Sequence, residues 1–242
     1  MTPAVQRTHD KAVYLQEDRY EHPKEIFKMI FRQVQASGGL RSGEMACDFG
    51  CAAGEFLYYL HREAPQARYT GFDIVPELLE KARTRVPGPE FRLGSVLDRG
   101  LLPEASIDVA LMVGVHEIFD DFRPSFSHLL RWTRPGGRIF IFGGFNPFPV
   151  DVWIQYRLVD AHPAAHREAG WNRFAKTSVS RYLDEALGPG RHAFLPFELP
   201  FDLAPHPEDP IRTWTVLDAH QRRLLTNGLL VLVRLELLEI RR

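Results

Sequence analysis

The stretch Asp48-Phe-Gly50-Cys-Ala52-Ala-Gly54 joins a short apolar run, 45–49, to a segment in which Phe56, Leu57 and Leu60 recur at helical spacing. Glycines between a strand and a helix let backbone approach a ligand with no Cβ in the way, and the helix start supplies unpaired N–H groups. The chemistry on offer is the cradling of a cofactor, and spacing narrows which one. A dinucleotide fingerprint needs small residues at offsets 0, 2 and 5, but offset 5 from Gly50 is Glu55, a charged side chain where close helix–strand packing is required. The offsets filled are 0, 2 and 4, by Gly50, Ala52 and Gly54. No Gly-Lys-Ser/Thr follows, which excludes a P-loop. A second stretch, Val113-Gly-Val-His116-Glu117-Ile-Phe-Asp-Asp121, sets an imidazole and a carboxylate just beyond another apolar run. A histidine there can take a hydroxyl proton near neutral pH. Cys51 lies inside the glycine loop, yet no histidine adjoins it and the turn needs only a small residue, so it reads as packing; Cys47 reads as core.

These residues are useful only if regular elements hold them on one rim. After a polar segment, 1–22, Pro23 leads into Ile26, Phe27, Ile30, Phe31 and Val34, the pattern of a helix that stops near Ser37-Gly38-Gly39. Strand 45–49, the glycine loop and a helix closed by Pro65 follow, then strand 69–72 ending at Asp73. The alternation continues with helix 76–86, strands 90–93 and 107–115, helix 122–133 and strand 138–143. Such alternation implies βαβ units and a parallel sheet, and right-handed crossovers place the strand ends, with any ligand, along one edge.

Beyond Gly144 the pattern changes. A helix is expected over 150–160, and another capped by Thr177 or Ser178 runs to Leu187. The repeated Leu195-Pro-Phe and Leu199-Pro-Phe confine that piece to a sheet edge or a loop. Strands are expected over 211–217, 222–226 and 229–240, the last after an Asn227-Gly228 turn. Asn146-Pro-Phe-Pro149 reads as a turn.

Composition sets the outer limits. The chain has 242 residues, 45% hydrophobic and 25% charged, a globular mixture with room for one large domain or two small ones. A formal net charge of −1 offers no field for nucleic acid, and two cysteines are too few for a disulfide framework or a zinc site. No apolar run spans a bilayer and the first residues lack the apolar stretch of a secretory signal, so a cytoplasmic protein without membrane or nucleic-acid partners is expected.

Taken with the acid that precedes it, the loop spacing resembles the S-adenosylmethionine-binding loop of the class I methyltransferases, small-molecule type. Asp73 stands at the second strand end, Gly94-Ser95-Val96 follows the third strand, Asp108 opens the fourth in Ser106-Ile-Asp-Val, and Arg134-Pro-Gly-Gly-Arg138 precedes the fifth, as in that family. The resemblance covers most of the chain. It implies a three-layer α/β Rossmann-like sandwich with a mostly parallel seven-stranded sheet whose last strand is antiparallel. A helical N-terminal cap over 1–40, a substrate lid over 146–192 and a C-terminal β-hairpin would complete a single domain, 1–242.

The same resemblance implies S-adenosylmethionine as cofactor, held by Asp48, Gly50, Cys51, Ala52, Gly54, Asp73, Ile74, Ser95, Val96 and Val113, with no metal. Asp48 would face the cofactor's positive charge and Asp73 its ribose. His116 as general base and Glu117 as a second catalytic residue would serve a hydroxyl oxygen of a sugar or secondary metabolite. Tyr14, Tyr20, Trp153, Tyr156, Arg157 and Trp171 are candidate substrate contacts, and a homodimer is left open. The alternatives are a catalytically silent cofactor-binding protein or partner subunit, and an N- or C-methyltransferase. A nicotinamide oxidoreductase is opposed by Glu55.

Overall fold

Strands that alternate buried residues between two faces must be covered on both sides. That holds for β1 (Met45–Phe49), β4 (Ile107–Val113) and β5 (Thr133–Asn146) in the computed structural model, which describes residues 8–159, 161 and 167–242. Ala46, Val109, Leu111, Phe140 and Phe142 enter one apolar layer, whereas Cys47, Phe49, Ala110, Met112, Ile139 and Ile141 enter the other. Helices α2 (Glu25–Ala36), α3 (Glu55–Glu63) and α4 (Pro76–Arg85) cover the first face. Helices α5 (Arg123–Trp132) and α6 (Lys176–Leu187) cover the second. None of the described helices is long and apolar enough to cross a membrane.

With β2 (Arg68–Asp73), β3 (Glu90–Leu93), β6 (His192–Phe197) and β7 (Leu235–Arg241), the strand order is β3-β2-β1-β4-β5-β7-β6. The first five strands are parallel, and β7 enters antiparallel between β5 and β6. The expected α/β sandwich with its antiparallel last strand is thus present. Strand β6 is an edge, which is where Pro196 is tolerated. At the sheet's opposite rim Arg138 donates to the carbonyls of Val34, Ser37 and Gly39 and pairs with Glu44, tying the end of α2 to β5.

Three expectations fail in the second half. Residues 150–159 form no helix: Val152 bridges Arg173, and Gln155–Tyr156 pairs antiparallel with Glu168–Ala169. Burial there alternates, with Val152, Ile154 and Tyr156 half-buried and Trp153, Gln155 and Arg157 exposed, so the period is two rather than 3.6; position 160 lies outside the described residues. Helix α6 is capped from outside its own sequence, because Asp151 accepts from the Ala175 N–H (2.5 Å) and the Ser178 hydroxyl (3.0 Å). The expected C-terminal hairpin is present as a separate ribbon, Trp214–Leu217 with Arg223–Thr226, between β6 and β7 in sequence. The strand expected over 229–240 starts only at Leu235: before it Val233 makes a single antiparallel bridge to Leu225, and the Asn227 amide donates to the Ile211 carbonyl and accepts from the Leu229 N–H.

Candidate functional site

In the sheet order β1 lies between β2 and β4, the point where successive crossovers run in opposite directions. Open α/β sheets bind ligands outside the carboxyl ends of the strands at such a point. The loop between β1 and α3 occupies it. The N–H groups of Gly50 and Cys51 both donate to the Phe72 carbonyl (2.7 and 3.0 Å), which folds the loop toward β2. Gly50 is exposed, with φ +85°, and a Cβ there would strike the Val115 side chain. Ala52 also lies in the left-handed region, at φ +47°, and its N–H donates to Asp73 Oδ2 (2.8 Å). The other Asp73 oxygen accepts the Val75 N–H (2.9 Å). Gly54 starts α3 at φ +79°, and a Cβ there would sit 2.7 Å from the Phe91 ring.

Asp48, at the end of β1, is 2% exposed and its Oδ1 has no hydrogen-bond partner among the described residues. Burial, reinforced by the neighbouring Asp73, pushes its carboxyl up to about 8. Burial likewise raises Asp73, against the N–H groups of Val75 and Ala52. A buried carboxyl pair of this kind favours a ligand bearing positive charge. The Cys51 side chain points the other way, toward Gly71, Leu57 and Phe91, and burial drives its thiol well above the ordinary range. It is packing, not a nucleophile.

The segment before α2 clamps this loop. Tyr20, 2% exposed, donates its hydroxyl to the Ala53 carbonyl (2.8 Å), and the Arg19 N–H donates to Glu55 (2.8 Å). Tyr20 is therefore buried support for the glycine loop rather than part of an open surface. Tyr14 lies on the exposed side of the cap, with the Lys24 ammonium 5.2 Å above its ring. Ile74 is exposed on the rim beside Asp73, and Val113 is half-buried at the end of β4. Ser95 accepts the Leu97 N–H (3.1 Å), and Val96 turns its side chain into the core with its carbonyl bonded to the His128 ring (2.8 Å).

The expected general base is in the wrong place. The His116 ring is 0% exposed, stacked 4.6 Å from Phe145, near Phe126 and pressed against Gly143. Burial, with the Arg173 charge adding to it, lowers its pKa to about 3. A neutral imidazole sealed in an aromatic layer has neither the basicity nor the access to take an acceptor proton. Glu117, also buried, accepts from the Gly144 N–H and pairs with Arg173 Nη1 at 2.5 Å. Its carbonyl accepts the Asn172 N–H (2.7 Å), and the Asn172 side chain bonds Phe119 and Ile154, so Glu117 anchors the strands around Val152 and Arg173.

Between those strands and the residues after the hairpin lies a cavity of about 110 Å³ walled by Glu117, Trp171 and Arg173 together with Thr226, Asn227 and Leu229. Of the expected substrate contacts, only Trp171 lines it. Tyr156 bonds Glu168 (2.8 Å), Trp153 donates to the Asp120 carbonyl (2.8 Å), and Arg157 is exposed. Asn172, Thr226 and Asn227 were not expected at the site. The one signal for them was the need to satisfy a buried carboxylate after β4 and the amide of Asn227 in what reads as a simple turn.

A sequence profile described as a methyltransferase domain matches residues 47–141, which run from β1 through β5. Malonyl-[acyl-carrier protein] O-methyltransferase of Serratia marcescens is 30% identical over 120 residues, 50% of this chain and 46% of its own length. Trans-aconitate 2-methyltransferase of Shigella dysenteriae is 30% identical over 157 residues, 64% of this chain and 54% of its own. The chain thus spans about half the length of these curated relatives. Among solved structures, magnesium protoporphyrin IX methyltransferase from Synechocystis PCC 6803 with bound S-adenosylhomocysteine shares the fold at TM-score 0.55 and 14% identity, over 97% of this chain and 94% of that one. The YcgJ protein of Bacillus subtilis does so at TM-score 0.56 and 13% identity, over 89% and 97%. Strand order, acidic strand ends and the matched profile agree: residues 47–141 match a methyltransferase domain, and the fold is the one shared by solved S-adenosylmethionine-dependent methyltransferases.

Proposed function

We propose that this chain binds S-adenosylmethionine over the loop 50–54 and catalyses transfer of its methyl group to an oxygen of a small-molecule acceptor. The observation that carries the reading is Asp48: a buried carboxyl oxygen with no hydrogen-bond partner among the described residues, beside a second acid, at the sheet's switch point. Leaving a buried polar group unpaired is costly, and a cationic ligand relieves it. The cofactor carries an ammonium and a sulfonium, and when bound it supplies an electrophilic methyl group.

The residues divide the work by position. Asp73, its oxygens already aimed by two backbone N–H groups, is set to accept from ribose hydroxyls. The exposed glycines Gly50 and Gly114 leave the cleft floor open between β1 and β4. Ile74 offers an apolar rim for the base. Methyl transfer by direct displacement needs no covalent enzyme intermediate, so the protein's contribution is alignment, an effect of up to about 7–11 kcal/mol.

An oxygen acceptor is supported by the name of the Serratia relative, an O-methyltransferase, and by the Asn146-Pro-Phe-Pro149 segment lying after β5 as a turn. The narrower expectation of a sugar or secondary-metabolite hydroxyl leaned on His116 and loses that support. The test is incubation with methyl-¹³C cofactor and a panel of hydroxyl, carboxyl, amine and activated-carbon acceptors, read by S-adenosylhomocysteine release and product NMR. Methyl on oxygen is the expected product. Methyl on nitrogen or carbon alone would overturn the oxygen assignment, and cofactor binding without any turnover would favour a silent binding protein.

A further inference from the structure

The cavity of about 110 Å³ has an unusual division of polarity. Ile154, Leu225, Leu229, Val231 and Val233 give it an apolar wall, and Glu117 and Arg173 are the two charged residues that line it. Their roles are unequal. Glu117 is engaged by the Gly144 N–H and by Arg173 Nη1 through the same oxygen. Arg173 is held by that contact and by the Asn172 carbonyl (3.1 Å), while its Nε is buried with no hydrogen-bond partner among the described residues. The Asn227 side chain is committed to Ile211 and Leu229. The guanidinium is thus held through Nη1, and it is the cation among the described residues that line the cavity.

We infer that this cavity is the acceptor subsite and that Arg173 selects a carboxylate on an otherwise apolar molecule, the carboxylate oxygen itself taking the methyl group. The inference rests on the methyl-transfer reading above. A planar guanidinium matches a carboxylate better than any other small oxygen group. Neither residue expected to act as a base is free to do so, since His116 is sealed and Glu117 is engaged. A carboxylic acid, ionised above about pH 4, needs none. Its oxygen forms the new C–O bond as the C–S bond breaks, the electron pair stays on sulfur, and no proton moves. The cavity, about 110 Å³, is well below the roughly 300 Å³ of a drug-sized site. It suits a small acid or the carboxyl end of a larger one.

Saturation-transfer NMR titrations of the full chain, saturated with S-adenosylhomocysteine, provide the test, with isovalerate and isovaleramide as probes. The acid should bind at least about tenfold more tightly than the amide, the scale of one charge-assisted hydrogen bond. Arg173→Gln should abolish that preference. Because this variant strands Glu117 and can fail to fold, Arg173→Gln combined with Glu117→Gln keeps the charge balance and should show the same loss. Equal binding of acid and amide by the native protein, or a preference that survives in the folded double variant, would overturn the inference. Failure of S-adenosylhomocysteine to bind at all is a separate result, read before the probes are added, and it would remove the methyl-transfer reading itself.

Discussion

Asp48 gives the account its sharpest quantitative consequence. Burial first, and the neighbouring Asp73 second, raise its carboxyl to about 8, so near pH 7 about nine in ten molecules hold it protonated. A cationic cofactor favours the carboxylate, and binding must then release a proton. The cost of that release is about 1.4 kcal/mol per pH unit below the pKa, so affinity should rise about tenfold per unit from pH 6 toward 8 and then level off. The ligand's own α-amino group titrates near 8, so the informative quantity is the difference between native protein and Asp48→Asn, which cannot release this proton. Calorimetry with S-adenosylhomocysteine in two buffers of different ionisation enthalpy counts the protons directly. Close to one proton should leave per site near pH 7 in the native protein, and far fewer in Asp48→Asn. Equal proton counts, or an affinity difference that ignores pH, would refute the placement of the cofactor's charge against Asp48.

Other perturbations should behave as follows. Asp73→Ala should weaken S-adenosylhomocysteine about tenfold or more by calorimetry, since charge-assisted hydrogen bonds contribute roughly 1.5–3 kcal/mol each. Gly50→Val should abolish cofactor binding, because its side chain meets Val115 and φ +85° is strained for an L-residue; circular dichroism should still show a folded chain. Cys51→Ala should keep turnover within a few-fold, whereas complete inactivation would mean that a nucleophile had been taken for packing. His116 has a folded pKa near 3, below its unfolded value, so its contribution to stability is present above about pH 6.5 and is lost as pH falls toward 3. His116→Phe should remove that acid sensitivity, about 2 kcal/mol at pH 5 in denaturant melts, and should leave the pH–rate profile unchanged.

What the sequence revealed follows the range over which each feature is determined. The spacing Asp48–Gly50–Gly54 and the acid at Asp73 are local properties of strand ends, and the structure places them on one rim as expected. The β1–β5 alternation was legible for the same reason, since strand and helix periods differ plainly there. His116 was misplaced because the residues that enclose it, Phe126, Phe145 and Gly143, come from α5 and β5, and nothing next to it in sequence announces them. The helix expected over 150–160 failed in another way. Val152, Ile154 and Tyr156 are only half-buried, and so weak an alternation is easily read as a helix beside Trp153 and Leu158. Asn227 looked like turn chemistry, but its amide is used to join two distant loops. Glu117, expected as a catalytic residue, instead ties Asn172 and Arg173 to the end of β4.

The central claim, that this rim is an S-adenosylmethionine site, is tested most directly by a crystal structure grown with saturating S-adenosylhomocysteine. The account predicts ribose hydroxyls within hydrogen-bond distance of the Asp73 carboxylate, the amino group turned toward Asp48, and the sulfur directed toward the end of β4. Ligand density elsewhere on the molecule, or a rim that stays empty while a nicotinamide dinucleotide binds there instead, would contradict it.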